Sequence, residues 1–334
     1  MTIKDLAAQT GYSVGTVSRV LNNQPNVSEK ARKAILDAAH ACNFQLNTNA
    51  QQLKQQRSHN ILALVKGSSN QLFSSLVEAI QQRVAGSPYH LVVDYLDEDS
   101  NEVLRAVQLC REKKPLGLLF LGGNRQNFLA DFDRVDIPCV LITSSGADLP
   151  FANLASVCCD EDQSVKQAIN QLIRMGHRRI AVIGGHLDRS DTARRRFEGC
   201  LAAFRENGVS FNLDRDYATA RFSYEAGYRA AQELVQRGAS HTAIFCIADV
   251  MAMGAIRALT DCGLRVPEDV SVVGFDGLPI GEFIVPRLAT ISQSVELMAQ
   301  RSVELLRSII EGGDSCVHEI IPTNIEWRES VQAI

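Results

Sequence analysis

Thr2–Leu21, TIKDLAAQTGYSVGTVSRVL, reads as two short helices joined by a tight turn. The first spans Ile3 to Thr10, Gly11-Tyr12-Ser13 forms the bend, and the second runs from Val14 to Leu21. Gly11 supplies a bend at which a Cβ would clash. The Ser13 hydroxyl is placed to accept an otherwise orphan amide in the first turn of the second helix. Ala7 is small enough for the two helices to cross closely, and Leu6, Val17, Val20 and Leu21 supply the shared apolar faces. Val14, Gly15, Ser18 and Arg19 then point outward. This is the layout of a helix-turn-helix, whose second helix enters the DNA major groove. An apolar helical hairpin is also an ordinary way to begin a domain, so the rest of the chain must separate the two readings.

The third helical stretch follows the turn-rich Asn22–Asn26. Ser28 caps it, Glu29 in its first turn suits the helix dipole, and Ala31, Ile35, Ala38 and Ala39 or Cys42 recur at helical spacing up to Asn43. Residues 44–59, FQLNTNAQQLKQQRSH, are polar and read as a linker, with Asn49–Lys54 able to form a short helix carrying one exposed leucine. The chain has 334 residues and a formal net charge of −4. Its first 58 residues carry +4 and the remainder −8, a basic head on an acidic body, which fits phosphate contact by the head alone.

From Ile61 the pattern alternates between apolar strand and amphipathic helix. Strands are expected at Ile61–Val65, Leu91–Tyr95, Leu116–Leu121 and Cys139–Thr143, then at Ile180–Gly184, Ala218–Phe222, Ala243–Ile247 and Ser271–Phe275. Helices fall between them, at Phe73–Val84 and Asn101–Lys113, then at Gln163–Met175, Thr192–Asn207, Ser223–Arg237 and Val250–Cys262. That order predicts two doubly wound parallel-sheet α/β lobes with a ligand cleft at the carboxyl ends of their strands. Leu288–Gln293 leads into a helix over Val295–Glu311, and Glu319–Arg328 reads as an edge strand and tail. No leucine heptad follows it.

At 46% hydrophobic and 22% charged residues the composition is that of a globular protein, with no apolar run long enough to span a bilayer. The start lacks a signal-peptide core, so a cytoplasmic protein is expected. The nine cysteines form no CxxC pair and read as buried small hydrophobes, Cys158-Cys159 among them. Neither a metal site nor a cofactor is expected. Gly11-Tyr12-Ser13-Val14-Gly15 matches the G-x-S-x-G nucleophile elbow by letter, but a helix precedes it where that motif needs a strand. There is no P-loop, and Gly184-Gly185 is too short for a dinucleotide fingerprint. Asn26-Val27-Ser28 is a glycosylation sequon by letter only, and His177 beside Arg178-Arg179 reads as a solvated turn. No catalytic residues are assigned.

Four stretches in fixed order carry a resemblance: TIKDLA at 2–7, TVSRVLN at 16–22, MGHRRI at 175–180 and VPEDVSVVGFD at 266–276. In them the sequence resembles the LacI/GalR family of bacterial transcriptional regulators along its whole length. The resemblance implies a helix-turn-helix head at 1–45 and a hinge at 46–59. It also implies a periplasmic-binding-protein-like core with one lobe at 60–159 plus 292–318 and the other at 160–291 plus 319–334. Val14, Gly15 and Arg19 match the family's base-reading positions, with Thr16 and Ser18 placed for phosphate. Ala50 and Leu53 match the hinge residues that wedge into the minor groove. Leu46 stands where proline is usual and Gln51 where arginine is frequent. Phe73, Thr192, Arg196, Phe222, Asp249 and Asp276 match the effector positions. Ala248 replaces a common asparagine, Thr143-Ser144 a frequent Asp-Arg pair, and Gln71 a common proline. The implied function is a homodimeric repressor that binds a pseudo-palindromic operator and responds to a small molecule, a sugar or sugar derivative. A soluble sugar-binding protein and an enzyme on the same scaffold are the alternatives.

Overall fold

The computed structural model describes residues 3–21, 27–42, 59–67, 70–238, 240–314 and 316–334, in two units divided between Ser58 and His59. The expected hinge residues Leu46, Ala50, Gln51 and Leu53 lie outside the described residues.

The first unit holds α1 (Ile3–Thr10), α2 (Val14–Leu21) and α3 (Glu29–Ala41). Leu6, Ala7, Val17, Val20, Ile35 and Ala39 make its buried core, with Ile3, Tyr12, Leu21 and Val27 packed around them. The Ser13 hydroxyl accepts the Thr16 amide at 3.1 Å, as the sequence reads; Gly11 serves the bend through its φ of +72°, because a Cβ there would meet open space and not a clash. Ser28 caps α3 by accepting the Ala31 amide at 3.3 Å.

The second unit contains two six-stranded sheets of matching order. The first lobe is built on β1 (Asn60–Lys66), β2 (His90–Leu96), β3 (Gly117–Leu121), β4 (Cys139–Ile142) and β5 (Leu154–Cys159). Its helices are α4 (Gln71–Val84), α5 (Glu102–Lys113) and α6 (Arg125–Asp131). The chain then crosses to the second lobe through α7 (Glu161–Arg174), β6 (Ile180–Gly184), α8 (Asp191–Glu206), β7 (Tyr217–Thr219) and α9 (Tyr224–Gln236). That lobe continues with β8 (Ala243–Cys246), α10 (Asp249–Asp261), β9 (Ser271–Asp276) and β10 (Ala289–Gln293). A second crossing brings α11 (Val295–Ile310) and β11 (His318–Ile321) back to the first sheet, and a third places β12 (Thr323–Glu326) in the second.

The sheets run β11-β5-β4-β3-β1-β2 and β12-β10-β9-β8-β6-β7, parallel throughout except for β12 against β10. Strand order reverses between β1 and β3 in one lobe and between β6 and β8 in the other, so each sheet opens a crevice there at its strand ends. All three crossings leave from the β5/β11 and β10/β12 edge, whereas β2 and β7 are the far edges.

Several sequence readings need correction. Strand β5 and helix α6 were not expected as elements. The tail read as one strand over Glu319–Arg328 is two strands in different sheets, divided at Pro322. Pairing His318–Ile321 with β5 places residues 319–321 with the first lobe, and pairing β10 with β9 keeps 292 and 293 with the second. Strand β7 ends at Thr219, short of the expected Phe222.

His177 is fully buried rather than solvated. Its Nδ1 lies 3.0 Å from Thr242 Oγ1 and its Nε2 is 2.9 Å from the Gln332 carbonyl, so the ring ties the start of β6 to the tail. Burial lowers its pKa from the ordinary 6.5. A buried neutral imidazole binds fewer protons than the unfolded chain does, so its contribution is present above about pH 6.5 and is lost as pH falls. Urea midpoints of the wild type should therefore drop between pH 7.5 and 5.5 more steeply than those of His177→Gln; equal slopes would refute this.

Candidate effector cleft and DNA-reading helix

The cleft lies where the two switch points face each other. Lys66 and Gly67 at the end of β1, Gly122 after β3, Thr143 after β4 and Gly185 after β6 line it. Phe73 on α4, Thr192 and Arg196 on α8, and Phe222 ahead of α9 complete four of the six expected effector positions in one cavity. Gly122, at φ +78°, is required by the close approach of Phe73, whose Cζ would lie 3.1 Å from a Cβ there. The two phenyl rings give apolar walls, with Leu72 and Ala220 beside them.

Arg196 is buried in the floor. Its Nε donates to Glu161 Oε1 at 2.8 Å, and Nη1 reaches Asp276 Oδ1 at 3.4 Å. Nη1 also donates to the Ile247 carbonyl, and the guanidinium lies 3.6 Å above the centre of the Phe275 ring. Burial pushes the Glu161 and Asp276 carboxyls up, and the shared guanidinium opposes that rise. Asp276 Oδ1 accepts a second bond from Gln293 at 2.9 Å, while its buried Oδ2 has no hydrogen-bond partner among the described residues. An orphan carboxylate oxygen at this depth is costly unless a donor reaches it. Asp276 thus meets the cavity's Arg196 without lining the cavity itself.

Asp249 does not line the cavity, contrary to its expected role. It is fully buried at the start of α10, accepts from Thr290 Oγ1 at 2.6 Å and from the Leu278 amide at 2.7 Å, and so fixes the loop after Asp276. Two residues that sequence reasoning passed over belong to the site. Glu161, the first residue of α7, is the strongest partner of Arg196 and stands just past the first crossing. Thr143 lines the cavity at φ +72°, a conformation rarely adopted by β-branched residues. Its replacement of the usual Asp was the available signal.

In the first unit, α2 exposes Val14, at 46% of its maximal surface, together with Gly15 and Arg19, while Thr16 and Ser18 are half-buried. Thr16 Oγ1 is 2.9 Å from Ser13 Oγ, so its hydroxyl is shared with the cap.

Comparison with known proteins follows this division. The signature of “Bacterial regulatory proteins, lacI family” matches residues 2–47, and that of a “Periplasmic binding protein-like domain” matches 169–331. The transcriptional regulator MalR of Clostridium butyricum is 32% identical over 333 residues, covering 99% of both chains. The chain belongs to the lacI family of bacterial regulatory proteins. A second relative, the HTH-type transcriptional repressor PurR of Haemophilus influenzae, is 31% identical over 341 residues, covering 100% of this chain and 99% of that one. Among solved structures, the Lac repressor dimer bound to operator and the anti-inducer ONPF superposes with a TM-score of 0.78 at 27% identity, covering 100% and 99% of the two chains. The CelR–cellobiose complex gives 0.72 at 27% identity, covering 99% of each.

Burial, with the neighbouring Asp276 charge next, pushes the Asp249 pKa up to about 8, against an ordinary value of 3.8. A carboxyl raised in the folded state stabilises fully below its unfolded pKa and loses that contribution as pH rises through the folded one. Urea midpoints of the wild type should fall between pH 6.5 and 9, and those of Asp249→Asn should fall less. A steeper fall in the variant would refute this reading of the loop.

Proposed function

We propose that this chain is a repressor whose α2 reads operator DNA and whose interlobe cleft binds a small-molecule effector, a sugar or sugar derivative. The observation that carries the reading is the pairing, in one lacI-family chain, of an outward face of Val14, Gly15 and Arg19 with a cleft of aromatic walls over a fixed ionic floor. Flat apolar faces with convergent polar groups suit a ring bearing hydroxyls. The CelR–cellobiose complex among the similar structures supports a ring bearing hydroxyls.

In this reading Arg19 makes a paired hydrogen bond to a guanine edge and Val14 packs on a thymine methyl. Gly15 is silent, and Thr16 and Ser18 hold phosphates that set register. Ala50 and Leu53 supply the minor-groove wedge. Effector binding changes how the lobes are oriented, and coupling to the operator requires different affinities for the two states. Two-fold operators call for a homodimer, and the second lobe offers an apolar patch for it in Phe283 and Val285, 79% and 92% exposed. The protein acts in the cytoplasm, on DNA, without catalysis. Among the described residues a Ser–His pair, Ser156 Oγ and His318 Nδ1 at 2.8 Å, is structural, because Ser156 is fully buried and accepts the Gly146 amide.

Arg19→Ala should weaken operator binding by about 1–3 kcal/mol and relax preference at one base pair of each half-site, read by salt-controlled gel-shift titration. Undiminished specificity would remove Arg19 from base reading. A thermal-shift panel of sugars, sugar phosphates, nucleosides and purines should find a carbohydrate that raises Tm and alters operator affinity. Phe222→Ala should weaken that hit about tenfold through lost ring burial. Silence across the carbohydrates with a response to purines would overturn the sugar assignment.

A further inference from the structure

The turns that follow β2 and β7 occupy equivalent places in the two lobes and meet across the cleft mouth. From the second lobe, Arg221 donates through Nε to Glu98 Oε1 and through Nη2 to Asp97 Oδ2, both at 2.7 Å. Asp99 Oδ2 stands 4.0 Å from its Nη1. The next residue adds a backbone bond, from the Phe222 amide to Glu98 Oε2 at 3.4 Å. One guanidinium therefore grips two carboxylates of the opposite lobe with a third close by, and its neighbour is an aromatic wall of the cavity. Glu98 and Asp99 line that cavity too.

Position makes this contact consequential. Strands β2 and β7 are the edges farthest from the three crossings, about 20 Å away at ~4.8 Å per strand. A rotation of about 10° around the crossing edge carries this rim about 3 Å, enough to break the pairs. Other interlobe bonds, Asn124 Nδ2 to the Arg189 carbonyl at 2.8 Å and the Arg125 amide to Asp191 Oδ2, join the starts of α6 and α8. Those use a backbone donor or acceptor, and the ion pair of Arg195 with Asp148 is longer, at 3.7 Å, whereas the Arg221 grip holds two carboxylates at 2.7 Å. Arg221 is half-exposed, so salt screens it. Opening the rim leaves three adjacent carboxylates to repel one another.

We propose that Arg221 is a positioning residue: its grip on Asp97, Glu98 and Asp99 holds Phe222 in the cleft wall and makes closure of the lobes dependent on ionic strength. The contact acts whichever molecule the cleft takes. The test is hydrogen exchange of the Phe222 amide in the full-length protein at low and high NaCl, with small-angle scattering on the same samples. In the wild type, exchange at Phe222 should rise about fivefold with salt and the radius of gyration should increase. Arg221→Gln should exchange fast and scatter as the open form at both salt levels, Arg221→Lys should recover part of the protection, and Asp97→Asn with Glu98→Gln should reproduce Arg221→Gln. Protection in the wild type that ignores salt, or Arg221→Gln protected like the wild type, would overturn the proposal. Unchanged thermal unfolding in the variants separates loss of the grip from loss of the fold.

Discussion

The buried guanidinium of Arg196 is the constraint on which the cleft depends. Taking a charge out of water costs several kcal/mol, and the cost is met here by Glu161, Asp276, the Ile247 carbonyl and the face of Phe275 together. Those partners come from the start of α7 and the ends of β8 and β9, while α8 carries Arg196, so the floor holds only if all of these elements arrive in register. Glu161 lies two residues beyond the end of β5, at the first passage between lobes. Movement at that passage therefore disturbs an ion pair that cannot be solvated in compensation. The same argument explains the strand ends nearby: Asp249 holds the Leu278 amide and Thr290, and thereby the loop that carries Asp276.

Much of the scaffold was legible because parallel strands buried on both faces read as unbroken apolar runs. Ile61–Val65 and Ile180–Gly184 are of this kind, and the helices between them declare themselves through side-chain caps and a 3.6-residue period. Strand β5 was hidden by its own composition. Leu154-Ala155-Ser156-Val157-Cys158-Cys159 contains a serine that looks exposed, yet it is sealed by His318 and the Gly146 amide, partners that no local pattern reveals. Helix α6 has seven residues and one buried side chain, Phe128, too little for a period to show. His177 misled for the same reason as Ser156: flanking arginines suggested water, whereas both ring nitrogens meet groups 65 and 155 residues away.

The site was legible only through family resemblance, and unevenly. Phe73, Thr192, Arg196 and Phe222 converge on one cavity, because their elements end at the two switch points. Asp249 is in the right neighbourhood but faces the protein interior, where its work is to brace a loop. Sequence order alone cannot tell a residue that touches a ligand from one that fixes the residue that does. Glu161 and Arg221 were missed because each draws its meaning from a partner on a distant element.

The two lobes repeat one internal symmetry at the cleft. The two sheets share one strand order, and β4 occupies in the first the place that β9 occupies in the second. Thr143 follows β4 and Asp276 closes β9, and both hold positive φ, at +72° and +122°. Backbone strain of this kind persists only where the surroundings over-determine it. Here the same strain recurs at equivalent strand ends, one on each side of the cleft, although the side chains differ in charge and shape. The shared feature is the positive-φ backbone turn at the strand end. The side chain is what can vary without disturbing the turn. Thr143 lines the cavity, whereas Asp276 acts on it through Arg196, so the same turn supplies a wall in one lobe and braces the floor in the other.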